Sequence, residues 1–259
     1  MRPSTPSTLH CSACADAGLC GLPSRPTIRC PALFSRSMDT ALLVFAKVPR
    51  PGEVKTRLTP ALSAAEAARL YTAFLRDTLR QVLRLDADVR LYLAPPVPDE
   101  APDAVPSGVG VHVQTGDGLG ARMEQAFRET LGDGYGQVLV MGSDHPTLPR
   151  SFLQRADQAL QDSGSLCIGP TEDGGFYLLG MSAFFPQLFD EMSYSHGQVF
   201  AETLSRAEGT GADVTVLPQW YDVDRPRDLD RLLTDLDDRP ADAPNTRRVA
   251  DRLGLEALA

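Results

Sequence analysis

Residues 138–146 read Val-Leu-Val-Met-Gly-Ser-Asp-His-Pro, and this stretch decides the predicted fold. Four consecutive apolar residues, 138–141, are typical of a central parallel strand that is buried on both faces. The glycine and the polar residues that follow end the strand, so Asp144 stands at its carboxyl end. Ligands of open α/β sheets bind beyond the carboxyl ends of the strands. The stretch therefore predicts an α/β fold with a site at Asp144.

Strand and helix patterns alternate on both sides of this stretch. Apolar or alternating runs predict six further strands, around residues 41–46, 89–93, 109–113, 166–168, 176–179 and 214–217. A capping box, Ser63 to Glu66, opens a long helix, and apolar residues four apart mark another helix over 119–127. Pro149 suits the first turn of a third helix, and 228–236 form a short one. This alternation predicts a mostly parallel sheet covered by helices on both faces.

Composition limits the class of protein and its partners. The chain has 259 residues, of which 42% are hydrophobic, and a formal net charge of −9. That length supports one sizeable core. An acidic surface repels nucleic acid and anionic membranes, so we expect neither as a partner. Because the body of the chain carries a single cysteine, Cys167, we expect a cytoplasmic protein without disulfides.

The first 37 residues differ from the rest, because they are rich in Arg, Ser, Pro and Cys and lack a periodic apolar pattern. Three interpretations remain open: a start assigned too far upstream, with Met38 the true first residue; a transit peptide; or a zinc site on Cys11 and Cys14. We expect residues 1–37 to be a disordered or mis-assigned extension. We expect 38–240 to form the catalytic domain and 241–259 a tail with a short helix.

The loop after the first strand is basic within an acidic protein. Four cations, Lys47, Arg50, Lys55 and Arg57, fall within eleven residues. Phosphates need such a local positive field, which lysine supplies as a point charge and arginine as a bidentate fork. A solvated basic loop explains the same spacing equally well.

Carboxylates at the ends of two strands predict a metal site. Asp144 at a buried strand end is costly to leave unpaired, and Mg²⁺ prefers one or two carboxylates with substrate phosphate oxygens. Asp144 lies slightly too early to cap the helix near Pro149. Asp222 and Asp224 follow the last strand and point the same way, so one of them can complete the site. Capping of the next helix competes for Asp224.

Two glycine-rich segments add candidate contacts. Residues 116–123 place Gly116, Gly118 and Gly120 at a helix start, where backbone amides favour an anion or the edge of a base. Residues 169–175 carry Asp173, which suits an acceptor or sugar hydroxyl, although a polar hairpin turn explains this segment better. The chain contains no GxGxxG, GxxxxGK[ST], HExxH or GxSxG motif, so a hydrolase lacks its nucleophile.

Six ordered blocks over about residues 40–235 resemble a bacterial family of glycosyltransferase-A-like proteins known as arsenosugar- or selenium-associated glycosyltransferases. That family is related to MobA-like nucleotidyltransferases and to 2-phospholactate guanylyltransferase. The blocks are FAKVPRPGEVKTRL (45–58), LSAAEAARLYTAFLRDTL (62–79), GDGLGARM (116–123), GSDHPTLP (142–149), GPTEDGGFYLLG (169–180) and YDVDRPRDLDRL (221–232). The glycine-rich start of the MobA-like relatives is absent, and residues 225–228 read Arg-Pro-Arg-Asp where Thr-Pro-Glu-Asp is usual.

The resemblance implies a nucleotide-diphospho-sugar transferase fold, a three-layer sandwich with a mostly parallel central sheet. It implies a metal on Asp144 and Asp224, which we expect to be Mg²⁺ or Mn²⁺. We expect catalytic roles for Asp144, Asp173 and Lys55. The predicted nucleotide contacts are Lys47, Lys55, Arg57, Gly118, Gly120 and Arg122.

We expect a metal-dependent glycosyltransferase that takes a nucleoside-diphosphate sugar and a small-molecule acceptor. The alternative from the same residues is a nucleotidyltransferase that joins an NTP to a phosphorylated small molecule and releases pyrophosphate. A nucleotide-binding module without turnover is a third class, against which the intact acid positions argue.

Overall fold

The computed structural model of the protein describes residues 40–98, 102–194 and 196–255. The strands in this part are β1 Thr40–Ala46, β2 Asp88–Leu93, β3 Gly110–Val113, β4 Gln137–Gly142, β5 Ser165–Pro170, β6 Phe176–Met181 and β7 Asp213–Val216. The helices are α1 Ala64–Val82, α2 Gly118–Gly132, α3 Arg150–Ala159, α4 Val199–Glu208, α5 Pro226–Asp238 and α6 Pro244–Arg252. Short 3₁₀ turns lie at Thr56–Leu58 and Pro186–Leu188. The expectation for residues 1–37 lies outside the described residues.

The seven described strands form one sheet in the order β3-β2-β1-β4-β6-β5-β7. β1 pairs in parallel with both β2 and β4, and β6 runs antiparallel to its neighbours β4 and β5. The prediction of a mostly parallel sheet is confirmed. The carboxyl ends of β1 to β4 meet at one edge, where β6 begins, because Met141 of β4 pairs with Leu178 of β6.

Helices cover both faces of the sheet. Alternate residues of β1 enter different cores: Leu42 and Val44 pack in one with side chains of α1 and α3, while Leu43 and Phe45 pack in the other with α2 and α4. This is the two-residue periodicity of a strand buried on both sides. The arrangement confirms the predicted three-layer α/β sandwich.

A third cluster joins α1 to the carboxyl-terminal helices. The outer side of α1 packs against α5 and α6. Asp77 of α1 is fully buried, and its carboxylate accepts hydrogen bonds from the backbone N–H of Thr246 at 2.7 Å and the side-chain amide of Asn245 at 2.7 Å. The helix in the segment predicted as a tail is therefore tied to the main core.

The start of α1 explains how the first loop is fixed. The Ser63 hydroxyl accepts from the Glu66 N–H at 3.3 Å, and the Glu66 carboxylate accepts from the Ser63 N–H at 2.8 Å. This reciprocal pairing satisfies two of the unpaired donors at a helix start.

None of the helices in the described ranges is both long enough and apolar enough to cross a bilayer.

Candidate active site

A cavity of about 390 Å³ opens at the carboxyl edge of the sheet. Its wall contains residues that follow β1, β2, β3 and β4 and residues from the first turns of α2. Of the predicted site residues, Lys47, Lys55, Arg122, Asp144 and Asp224 line it. The structure therefore brings together side chains up to 177 residues apart in the sequence (47 to 224).

Lys55 stands between the two predicted metal ligands. Its Nζ lies 2.7 Å from Asp144 Oδ1 and 3.6 Å from Asp224 Oδ1, and its side chain is only 3% exposed. The rings of Tyr71 and Phe74 pack beside the ammonium at 6.0 and 5.9 Å. The lysine is thus a fixed internal cation, unlike a residue of a solvated basic loop.

Arg57 extends this cluster to the surface. Its guanidinium donates to Asp224 Oδ2 at 2.7 Å, although 64% of its side chain is exposed. Exposed ion pairs of this kind contribute little to stability. Arg57 is therefore held near the cavity while most of its side chain faces solvent.

The charge of Lys55 sets the ionisation of Asp144. Burial alone raises the pKa of the Asp144 carboxyl, but attraction to the Lys55 ammonium outweighs this and leaves the pKa below its ordinary value. The carboxyl is densely surrounded by protein, yet 43% of its side-chain surface remains exposed, because it faces the open cleft. Asp144 is therefore an ionised carboxylate at the floor of the cavity.

Neither carboxylate is used as a helix cap. Pro149 precedes α3 directly, and Asp144 lies five residues before that proline. At the start of α5, Asp228 accepts from the N–H groups of Asp224 at 2.9 Å and Arg225 at 2.7 Å. The Asp224 side chain is consequently left for Lys55 and Arg57.

Tyr71 ties the loops after β1 and β4 together. It is 3% exposed, and its hydroxyl accepts from the Lys47 N–H at 2.9 Å and lies 2.8 Å from Ser143 Oγ. Burial, together with the negative charge of Asp144, raises the pKa of Tyr71. The hydroxyl therefore stays protonated and holds the two loops in register across the cavity.

Behind Asp144, the buried His145 pairs with the partly buried Asp222. His145 is 5% exposed, and its Nδ1 lies 3.2 Å from Asp222 Oδ1 and 3.1 Å from the Tyr221 carbonyl oxygen. Burial raises the pKa of Asp222 to about 6; His145 opposes the rise, while the charges of Asp173 and Asp144 add to it.

The raised pKa of Asp222 predicts a pH-dependent stability. The folded protein binds this proton more tightly than the unfolded chain does, so the contribution of Asp222 to stability falls as the pH rises from about 4 through about 6. Asp222→Asn removes the buried charge. We expect this variant to exceed wild type in free energy of unfolding by about 2 kcal/mol at pH 8 and to match it near pH 4. Urea titrations in EDTA at pH 4, 6 and 8 measure this difference.

Asp162→Asn is the control, because Asp162 is an exposed residue after α3. Its free energy of unfolding should stay close to that of wild type at each pH. A difference between Asp222→Asn and wild type that did not change with pH would contradict the assignment of the raised pKa.

Two glycines at the start of α2, Gly118 and Gly120, are predicted nucleotide contacts. Gly118 adopts a left-handed backbone at φ +86°, and a Cβ on Gly120 would lie 2.5 Å from the ring of Tyr194. Neither residue is among those lining the cavity, whereas Leu119, Arg122 and Met123 are. The structure thus accounts for Gly120 by close packing, and nucleotide contact by these two glycines stays a prediction.

Asp173 holds its own turn together. Its Oδ1 accepts from the Thr171 hydroxyl at 2.6 Å and from the Gly175 N–H at 3.0 Å. A Cβ on Gly174, at φ +89°, would lie 2.1 Å from the carbonyl oxygen of Gly197, so the turn packs closely on the segment before α4. Asp173 is not among the cavity residues, and the hairpin explanation of this segment accounts for its Oδ1.

Asp144 and Asp224 are the side chains predicted to hold a metal ion. Within residues 40–98, 102–194 and 196–255, no group of three or more His, Cys, Asp and Glu side chains is placed to hold an ion. Asp144 and Asp224 nevertheless converge on one cation, the Lys55 ammonium. Mg²⁺ is commonly bound through one or two carboxylates, with substrate phosphate oxygens and water as its other ligands. The two acids fit that mode of binding.

Comparison with known proteins identifies the family. A family model described as "Uncharacterized protein conserved in bacteria (DUF2064)" matches residues 78–196. A crystal structure from Desulfovibrio desulfuricans G20, described as a candidate nucleotide-diphospho-sugar transferase, is 33% identical, with a TM-score of 0.75 over 83% of this chain and 96% of that chain. This chain belongs to the DUF2064 family. The relative confirms the predicted fold and the predicted transferase class.

Other structures resemble the DUF2064 chain more distantly. A 4-diphosphocytidyl-2C-methyl-D-erythritol synthase is 14% identical, with a TM-score of 0.49 over 76% of this chain and 98% of that chain. A cytidylyltransferase from Leptospira borgpetersenii is 10% identical, with a TM-score of 0.48 over 84% and 94%. At such similarity no functional argument rests on either. Comparison with curated proteins gives no match.

Proposed function

We propose that this DUF2064 protein is a metal-dependent glycosyltransferase that uses a nucleoside-diphosphate sugar and a small-molecule acceptor. The observation that carries the proposal is the cluster of Lys55, Asp144 and Asp224 on the cavity floor. It combines two carboxylates for a cation with a buried positive charge, at the sheet edge where α/β folds bind ligands.

The diphosphate of the donor is assigned to the basic loop after β1. Lys47 and Lys55 line the cavity, and Arg57 adjoins it through Asp224. Because Lys55 is fixed by burial, its charge needs no reorganisation when negative charge develops on the leaving diphosphate, and such preorganised charge stabilises a transition state. Mg²⁺ or Mn²⁺ held by Asp144 and Asp224 would supply further neutralisation of that leaving group.

We assign the acceptor to the side of the cavity nearest the β5–β6 turn, where Phe176 and Tyr177, which follow the turn, line the cavity. Asp173 lies in that turn, close enough to Asp222 for its charge to raise the pKa of that carboxyl. We assign Asp173 to the acceptor side, as a base or as a ligand of a sugar hydroxyl. The resemblance of the six sequence blocks to arsenosugar- and selenium-associated glycosyltransferases supports a small acceptor.

The test separates glycosyl from nucleotidyl transfer. Purified protein is screened by thermal shift against nucleoside-diphosphate sugars and NTPs, each with and without Mg²⁺ or Mn²⁺, because a ligand that binds the folded state raises the midpoint by mass action. Stabilisation by a nucleotide sugar, dependent on the metal, with nucleoside diphosphate released in the presence of a sugar acceptor, is the expected result. Release of pyrophosphate from an NTP in the presence of a phosphorylated acceptor would instead identify the protein as a nucleotidyltransferase. Tight binding without turnover of either class would indicate a binding module.

A further inference from the structure

Gln114 lies where β3 ends and enters the cavity wall. Its backbone N–H donates to the Leu93 carbonyl at 2.9 Å, which continues the β2–β3 ladder by one residue. The residue is 6% exposed and lines the cavity. Its side-chain amide nitrogen donates to the Tyr92 carbonyl at 2.9 Å and to the Ala46 carbonyl at 3.4 Å. The side chain thus crosses β2 and reaches the end of β1.

These two bonds fix the orientation of the amide. Backbone carbonyl oxygens can only accept, so the amide nitrogen must face both of them, and its two protons are then used. The usual ambiguity between the nitrogen and the oxygen of an amide does not arise here. The amide oxygen must point away from the strand ends. Gln114 therefore presents an acceptor of fixed direction and has no proton left to donate.

The amide oxygen has no donor in the described part of the chain. Its hydrogen bonds with residues 40–98, 102–194 and 196–255 are those of its N–H groups alone. The oxygen is not fully enclosed by protein, and Gln114 is one of the residues that line the cavity. Because the residue is almost fully buried, few groups can reach this acceptor, and a bound group with an N–H or O–H is favoured there.

The position of this acceptor matches the dimensions of a nucleotide. The amide reaches the ends of β1 and β2, and Asp144 follows β4, which is the other neighbour of β1. Adjacent strands are ~4.8 Å apart, so the acceptor and Asp144 are separated by ~5–10 Å, about the distance that a ribose places between a base and its phosphates. Leu119 and Met123 of α2 supply apolar wall at the same cavity.

We propose that Gln114 reads the nucleobase: its amide oxygen accepts a hydrogen bond from an N–H on the edge of the base. This inference rests on the proposed function, because it assumes that the cavity binds a nucleotide. The substrate class is a nucleotide whose base offers an amino or imino proton at this point. A base that presents only acceptors or a methyl group there is rejected, because it leaves the amide oxygen unpaired.

The experiment compares each nucleotide with a partner that lacks the base proton. Calorimetry with Mg²⁺ measures UDP against N3-methyl-UDP, GDP against N1-methyl-GDP, ADP against purine riboside diphosphate, and CDP against 2-pyrimidinone riboside diphosphate. Wild type is expected to bind the preferred nucleotide at least about tenfold more tightly than its partner. Gln114→Met is expected to bind both members of that pair equally.

Gln81→Met is the matched control. Gln81 is 8% exposed and also donates its amide protons to two backbone carbonyls, of Pro146 at 2.9 Å and Asp242 at 3.2 Å, but it does not line the cavity. This variant should discriminate as wild type does. Binding of magnesium pyrophosphate reports on the phosphate end and should be the same in Gln114→Met as in wild type.

The outcomes separate this inference from the proposed function. Full discrimination by Gln114→Met, or loss of its pyrophosphate binding, would overturn the base-reading role while leaving the site a nucleotide site. Failure of wild type to bind any of the four diphosphates would overturn both.

Discussion

Asp144→Asn is expected to lower kcat/KM for the sugar donor by about 10³-fold and to remove the metal dependence of nucleotide binding. The carboxamide keeps the size of the side chain but loses the charge that faces the cavity and pairs with Lys55 at 2.7 Å. Because 43% of the side chain is exposed, the fold should tolerate the change. Calorimetric titration of nucleoside diphosphate with and without Mg²⁺, together with initial rates, measures the effect.

Asp162→Asn is the control for Asp144→Asn. Asp162 is exposed and lies just after the end of α3, whereas Asp144 lies before the start of that helix. The kinetics and titrations of Asp162→Asn should match those of wild type. If Asp144→Asn still showed metal-dependent nucleotide binding with an unchanged dissociation constant, Asp144 would not be a metal ligand.

Lys55→Met is expected to weaken binding of nucleoside diphosphate by about 30-fold or more, because removing one partner of a buried, hydrogen-bonded charge pair costs about 2 kcal/mol or more. Methionine fills the space of the lysine stem but leaves Asp144 and Asp224 without the cation between them. The pKa of Asp144 should then rise, because attraction to Lys55 is what lowers it against the effect of burial. Titration calorimetry of nucleoside diphosphate without metal at pH 6 and pH 8 should show a larger loss of affinity at pH 8, where more of the Asp144 carboxyl is ionised and repels the phosphates.

The chain offers an internal comparison for this variant. Its two lysines, Lys47 and Lys55, both lie in the loop after β1, and Lys47 is exposed. Lys47→Met should weaken binding by about fivefold or less, since exposed charges are screened by solvent. Equal losses in the two variants would show that the buried position of Lys55 has no special effect.

The seven described strands were predictable because each carries its own apolar run. The position of Asp144 was predictable as well, since a buried run followed by Gly and Ser marks where a strand ends. Helix α4 was not predicted. Its buried face consists of Val199, Thr203 and Ala207 alone, and the side chain of Gln198 makes no capping hydrogen bond. So weak a pattern does not distinguish a helix from a loop.

Other parts of the site depend on contacts that no local pattern encodes. Tyr71 occupies a buried position of α1, and only the fold shows that its hydroxyl meets Ser143, 72 residues away. Gln114 is a single polar residue before a glycine-rich turn, and its role depends on carbonyl groups of β1 and β2. Gly120 was interpreted as a ligand contact, but its close neighbour is the ring of Tyr194. The contacts of these residues arise from tertiary packing, so their spacing in the sequence could not predict them.

The reversal of β6 affects how substrate range can diverge among relatives. Because β6 runs against β4 and β5, the connection over residues 171–175 is a hairpin at the cleft edge instead of a helical crossover. Insertions and substitutions in a surface turn are tolerated far better than in paired strands. Lengthening this hairpin would reshape the side of the cleft to which we assign the acceptor, while the register of β1 to β4, which places Lys55 and Asp144, stayed the same. If the proposed function holds, donor use can thus be inherited unchanged while acceptor choice evolves.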